Sequence, residues 1–411
     1  MMEEKNISAY RSFRIGAYRN KYEKALLFGG KSFTFGALMV RAEYAYNTFR
    51  QMGIEAGARV CLWLPDCPDL LASFYGLSRL GAVGVLAHPD CSPRELKKQM
   101  EAAGANVLLT TAGRYARYCK RQEPLPQSDL ILCRPERDMK GVARSIYLQK
   151  ERLEAAEDEG YLLDQMMAEN RYSSLEKPAA EDAVILFGTS CFIQANPITY
   201  QAEELAETIG QFWRHKEGVQ TVYVENSFAT EGGFLAVHSA LSAGKTVVWS
   251  VGEPLPMLQK IRPDFLVATE EFFWLFRQNT AQFKGKWTNL SGGYQIGKKL
   301  TPLMEKFASR AMAECGGAGV LGGPPIPLKV RREDLYFMRD FGVRLGDMEQ
   351  ELSRLKGVAA CRCLEEGGIR LLLVPDGKES AGRLGRSIAL CCKQEMNRFH
   401  LPNSVEFCAK L

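Results

Sequence analysis

The chain has 411 residues, too many for one ordinary core, so two or three packed units are expected. Its composition, 46% hydrophobic and 25% charged, is that of a globular protein. The net charge of +5 is spread along the chain without a basic block, which argues against nucleic acid and against an electrostatic membrane arm.

In chain order, VCLWL at 60–64 predicts a buried strand, 68–80 a helix and 82–86 a second strand. The run Ser92-Pro93-Arg94-Glu95 opens the next helix. Ser92 is placed to cap it, Pro93 fits the first turn, and Glu95 holds the capping-box position. That helix ends at Gly104, and 107–110 follows as a strand. Residues 149–177 are charged, then polar, and read as a surface connection. Further strands are expected at 131–133, 183–187, 221–224, 246–249, 265–268 and 369–374. Strands alternating with helices imply parallel βαβ units. Glycine and proline at 316–327 argue against regular structure there and set a break before a tail of residues 331–411.

The 12 cysteines include no CxxC pair, and His88, His215, His238 and His400 are scattered, so no metal site is expected. The polar start of the chain is no secretory signal, and no apolar run reaches about 18 residues. The expected setting is the reducing cytoplasm, with buried free thiols and no membrane contact.

Several stretches, in order, resemble the adenylate-forming (AMP-binding) superfamily of acyl-CoA synthetases, luciferases and adenylation domains. Ser32-Phe33-Thr34-Phe35-Gly36-Ala37-Leu38 resembles the opening motif of that family. Gly57-Ala58-Arg59-Val60 with Leu64-Pro65-Asp66-Cys67-Pro68, and Gly81-Ala82-Val83, resemble the next two. Leu241–Val248, Arg262-Pro263 and Leu290-Ser291-Gly292-Gly293 follow in the expected order. In the tail, Asp347–Leu352, Lys356-Gly357-Val358 and Leu401–Phe407 continue the series. The resemblance implies an α/β fold. A large N-terminal domain of mostly parallel sheets flanked by helices would span residues 1–330, with a subdomain break near 150–180. A small, shortened α/β C-terminal domain would span residues 331–411.

Adenylation brings a carboxylate to the α-phosphate of ATP. Such a site needs backbone N–H donors, a lysine and a metal-binding acid. The family's phosphate loop follows a strand like Ile185-Leu186-Phe187. The resemblance therefore implies a remnant phosphate loop at Gly188, Thr189 and Ser190, with Gly292 and Gly293 also on the cofactor side. Yet no lysine occurs between Lys177 and Lys216, and no Thr-Glu pair occurs at Glu314–Gly323. The segment that carries the ribose ligand in the family is collapsed before Asp334, and the chain ends at Leu411, ahead of the family's late Gly-Lys. Asp340 would match the hinge acid, and Phe228, Glu231 and Gly232 the acyl pocket. Each lost electrostatic donor costs about 3–4 kcal/mol, or roughly 10²–10³ in rate.

Plainer readings stand beside these. Gly188-Thr189-Ser190 also reads as an ordinary strand-to-helix turn, Cys191 and His238 as packed residues, and Glu231 as a solvated turn acid. Two functions stay open. One is a degenerate, weak or non-catalytic relative that binds a carboxylic acid, an acyl thioester or a partner enzyme. The other is an active divergent acid–CoA or acid–carrier ligase using ATP, Mg²⁺ and CoA, with Lys216, Lys245 or Lys298 replacing the missing cation. The catalytic residues and the acid itself are not legible in the sequence.

Overall fold

Two seven-stranded sheets face each other across a shared layer of helices. The computed structural model describes residues 8–126, 129–151, 161–171, 183–187, 197–201, 204–205, 218–283, 286–287, 290, 292–295, 320–321, 336–338, 341–366, 368–394, 396 and 400–411. The first sheet runs Val320–Leu321, Gly292–Gln295, Phe265–Ala268, Thr221–Val224, Thr246–Val248, Lys24–Phe28, Lys31–Thr34. The second runs Tyr161–Leu162, Leu130–Cys133, Val107–Thr111, Arg59–Leu62, Val83–Leu86, Ala183–Leu186, Ile198–Gln201. Each is parallel except for one antiparallel edge strand.

Both faces of these strands are covered, which is why the sequence shows continuous apolar runs rather than alternation. Val222, Val224, Val247 and Val267 share the central core with Val60, Leu62, Leu86, Leu109 and Leu186. Their neighbours turn the other way. Tyr223, Val248 and Leu266 pack outward against Phe272, Phe273 and Phe276 of the Glu270–Gln278 helix. Cys61, Val85 and Leu108 pack outward against Leu96 and Met100 of the Pro93–Ala103 helix. That helix opens with Pro93 and the full Ser92/Glu95 capping box, and closes at Gly104 with φ +64°, as the sequence predicts.

Between the sheets lie the helices Ala9–Arg19, Phe35–Gln51, Pro68–Leu80 and Glu231–Ser242. Residues 68–79 of one and 231–241 of another are all buried. A helix buried on every side is stable only inside a core, with its polar groups paired there. Glycine sets the closest approach: a Cβ on Gly76 would lie 2.8 Å from the backbone nitrogen of Tyr46.

The tail has its own core of Met348, Leu352, Ile369, Leu371, Leu373, Leu384 and Ile388. It holds Val358–Glu365 antiparallel to Ile369–Pro375, which pairs in parallel with Ser404–Phe407. The helix Leu345–Leu352 reaches the second sheet's outer helix layer through Glu351, whose carboxylate takes a two-pronged grip from Arg94 at 3.0 and 2.9 Å.

Two expectations are corrected. Residues 149–177 are not simply a surface connection. Tyr161–Leu162 pairs with Leu130–Cys133 at the sheet edge, and Leu163 and Met167 of the Leu163–Glu169 helix enter the central core. These apolar positions closely follow the charged stretch 150–159, which dominates the local composition. The glycine-rich break is also not free of regular structure. Val320–Leu321, its two adjacent branched apolar residues, forms a short strand beside Gly292 and Gly293.

Gly76→Ala tests the helix layer. Alanine is the better helix former by about 1 kcal/mol, but the crossing has no room for a methyl group. A net loss of about 2 kcal/mol in urea unfolding is expected.

Candidate functional site

In parallel sheets, ligands sit outside the carboxyl ends of the strands, where backbone N–H and C=O groups are not all used by the ladder. Here that edge carries a polar turn, Glu225-Asn226-Ser227, straight after the strand Thr221–Val224. Glu225 bridges two strand ends. Its N–H donates to Val267 O at 2.9 Å, and its Oε2 accepts from Thr269 N and Oγ1 at 3.0 and 2.7 Å. Thr269 in turn caps the Glu270–Gln278 helix.

Asp66 joins the sheets. It lies in the loop after Arg59–Leu62 of the second sheet. Its Oδ1 accepts from Phe228 N at 2.8 Å and from Ser227 Oγ at 3.4 Å, both on the first sheet's turn. Thr230 closes the turn by donating to Ser227 O at 2.8 Å, and its hydroxyl caps the next helix by accepting from Gly233 N at 3.2 Å. A Cβ on Gly233 would lie 2.0 Å from Ser227 O, so only glycine allows the turn to fold back this tightly.

Phe228 is fully buried and packs edge-on against Phe74, Phe234 and Trp249, with ring centroids 5.4, 5.3 and 6.4 Å away. Glu231 is buried and accepts a short hydrogen bond from Tyr200, which the strand Ile198–Gln201 delivers from the second sheet. The expectation of a solvated turn acid is therefore wrong. Glu231 occupies the first turn of a helix with no solvent face, and a tyrosine satisfies it there. Gly232 is buried in that same turn. The structure thus brings Phe228, Glu231 and Gly232 together.

Asn226 is the most unusual group at this edge. It is fully buried, and neither its Oδ1 nor its Nδ2 has a hydrogen-bond partner. Leaving such groups unmet costs about 1–3 kcal/mol each. Its sequence signal is weak: one polar residue directly after an apolar strand.

Gly292 and Gly293 lie inside the first sheet, opposite Phe265 and Leu266, while Gln295 stands at the carboxyl end of their strand. Gly188, Thr189, Ser190, Cys191, Lys216, Lys298 and Asp340 lie outside the described residues. Lys245 is no substitute for the phosphate-loop lysine. It precedes the strand Thr246–Val248, at the opposite edge of the sheet, and its ammonium donates to Val219 O. Burial lowers its pKa, against the pull of Asp264. His238 is packed, as the plainer reading has it. Its Nδ1 is 3.0 Å from Tyr75 Oη, and its ring stacks on Phe234. Among the described residues no group of three or more His, Cys, Asp or Glu is placed to hold a metal ion.

Residues 13–333 match the model of a family described as AMP-binding enzyme. The chain belongs to that family, the adenylate-forming ligases, whose members typically use ATP with Mg²⁺ and CoA. A 4-coumarate-CoA ligase 2 of Narcissus pseudonarcissus is 38% identical over 105 residues, which is 25% of this chain and 18% of that ligase. A 3-hydroxybenzoate–CoA ligase of Aromatoleum sp. (strain CIB) is 28% identical over 90 residues, 22% of this chain and 17% of that enzyme. The matches to these two curated relatives therefore span less than a fifth of each relative's length. The fold extends much further. The amide bond synthetase McbA from Marinactinospora thermotolerans superposes with a TM-score of 0.76 at 12% identity, over 98% of this chain and 96% of that one. An anthranilate CoA ligase, AuaEII, in complex with anthranoyl-AMP, superposes with a TM-score of 0.64 at 12% identity, over 99% and 94%.

Burial pushes the His238 pKa down to about 3, from an ordinary 6.5. Below pH 6.5 the unfolded chain takes up this proton and the folded chain does not. Stability from this group is therefore complete above pH 6.5 and lost as pH falls toward 3. Against the wild type, His238→Gln should flatten the fall in unfolding free energy between pH 6 and pH 4 by up to about 1.4 kcal/mol per pH unit. Urea melts across that range measure it.

Proposed function

We propose that this chain is a degenerate adenylate-forming ligase that binds a small carboxylic acid or its acyl group at the carboxyl edge and makes little or no acyl adenylate. Two observations carry this. Asn226 offers an unmet buried amide at the carboxyl edge, and the sequence after the strand Ala183–Leu186 contains no lysine up to Lys216. A carboxylate accepts from the Asn226 Nδ2 and so relieves part of its burial cost. Phosphate charge, by contrast, meets no lysine from the loop, and the Thr-Glu acid is missing from Glu314–Gly323. Losing one such donor makes an enzyme slow. Losing several leaves a binding site.

On this reading, residues 1–330 form the ligand-binding unit, and residues 331–411 form a shortened small domain. Gly188, Thr189 and Ser190 keep residue types of the phosphate loop without its lysine, Gly292 and Gly293 belong to the cofactor side, and Asp340 is the hinge acid. The compartment is a reducing cytoplasm, consistent with the ten described cysteines, none of which is in a disulfide. Among the described residues no helix is long and apolar enough to cross a membrane. The bound molecule is a free acid, an acyl thioester or a partner enzyme.

The experiment is ATP-dependent pyrophosphate release with Mg²⁺, CoA and a panel of fatty, aryl and amino acids. No turnover above background is expected from folded protein. Turnover with any acid would make the chain a divergent ligase acting through an acyl adenylate. Asn226→Leu checks the binding half. It should raise the stability of the free protein by about 1–3 kcal/mol, because it removes an unsatisfied buried amide. It should also abolish binding of whichever acid the wild type takes up. Unchanged acid binding in the variant would remove Asn226 from the site.

A further inference from the structure

A cavity of about 570 Å³ shares no lining residue with the carboxyl-edge turn. It opens between the turn at Lys21 and Tyr22, the first turns of the helix Phe35–Gln51, and the helix Leu163–Glu169 with the following Arg171. Its size is that of small-molecule sites, which run from about 300 to 1,000 Å³. Ala37, Val40, Tyr44 and Met167 give it apolar walls. Val40 is 44% exposed and Tyr22 85%, so an apolar surface stands open at its mouth.

The charges around this cavity are arranged unevenly. Both lining acids are already engaged. Asp69 accepts from Arg41 at 3.0 and 2.6 Å, and Asp164 accepts from Arg134 and Arg137. Asp138 adds a second carboxylate to Arg41, at 2.6 Å. Burial works against the Arg41 charge, but Asp69 and Asp138 outweigh it and raise its pKa, so this group stays a cation at any working pH. The two remaining cations are not engaged in this way. Among the described residues the Lys21 ammonium has only the Tyr22 ring, at 5.6 Å, and the Arg171 guanidinium has no ion pair or hydrogen bond. Both are exposed lining residues. The stem of Lys21 is held in place: its backbone oxygen accepts from Gly36 N at 2.9 Å, and a Cβ on Gly36 would lie 3.0 Å from the Lys21 Cγ.

We propose that this cavity is a binding site for a free amphiphilic carboxylate, with its apolar body against Val40, Tyr44 and Met167 and its carboxylate between Lys21 and Arg171. The charge pattern selects the sign of the ligand. A cationic ligand finds both acids already taken by arginines and two free cations in its way. An anion finds two donors that no acid among the described residues takes up, and a carboxylate suits the planar fork of an arginine. The apolar walls select for an alkyl or aryl body, and their burial supplies most of the affinity. This site does not depend on the function proposed for the carboxyl edge.

Decanoate is the probe, with decanol as its neutral counterpart, each titrated into the full chain by calorimetry at low and high salt. Decanoate is expected to bind more tightly than decanol and to weaken as salt rises, because exposed charges are screened. Lys21→Glu/Arg171→Glu should weaken decanoate at least about tenfold and leave decanol almost unchanged. Ala168→Trp, an exposed lining position, should block both by filling the cavity while keeping every charge. Thermal melting of each variant confirms that it is folded. The proposal is overturned if decanoate does not bind, if decanol binds equally well, or if neither variant changes the decanoate affinity. The last result would mean that the acid sits at the carboxyl edge instead.

Discussion

The structure depends on burying whole helices between two parallel sheets. Pro68–Leu80 and Glu231–Ser242 have almost no solvent face, so each must be packed on every side, with buried polar groups such as Asp69 and Glu231 paired by Arg41 and Tyr200. Both sheets satisfy this need by turning alternate residues inward. A slip of one residue in any central strand would exchange its inward and outward sets and open the core. The pairing of Val222 with Phe265 and of Val60 with Val107 is therefore held by packing as well as by hydrogen bonds. Close approach has its own demands, met by glycines such as Gly76.

This arrangement also builds the site. Because the sheets face a common layer, the loop carrying Asp66 and the turn carrying Phe228 arrive at the same edge and join by a 2.8 Å hydrogen bond. Tyr200 crosses in the same way to Glu231. The polar turn thus rests on rigid elements from both sheets rather than on a loose loop. That kind of support holds a binding group in place. Asn226 is the exception, held in the framework with its amide unmet. An energetic burden kept at the carboxyl edge, where ligands bind in such sheets, fits a role that the free protein does not use.

The regular interior was largely legible. Runs such as VCLWL and the Ser92/Glu95 capping box state local structure directly, and strands fall at 59–62, 107–111, 221–224 and 265–268 close to where their apolar runs predict. Edge elements were not legible. Tyr161–Leu162 is a strand only because Leu130–Cys133 offers it a partner, and no local pattern encodes that. The contacts of the candidate site were not legible. The stretch holding Asp66 resembled a family motif, yet nothing in the chain order showed that it would reach residues 227 and 228. Glu231 was misread because a carboxylate beside two glycines looks like a turn. Only the tertiary fold shows Tyr200 above it.

The tail meets the rest of the chain through the Arg94–Glu351 pair, in which Glu351 also accepts from Arg354. A two-pronged bond to a nearly buried carboxylate fixes orientation as well as distance. The central claim is that acid recognition at the carboxyl edge has been separated from ATP chemistry. Calorimetric titration of an aryl acid such as benzoate, with and without saturating Mg²⁺-ATP, tests it most directly. Where one ligand changes the affinity for another, the effect is reciprocal, so a titration of either reports the coupling between the acid and ATP. The account predicts that the acid binds alone with an affinity that Mg²⁺-ATP leaves unchanged. Acid binding that appears or tightens tenfold only when Mg²⁺-ATP is present would contradict it.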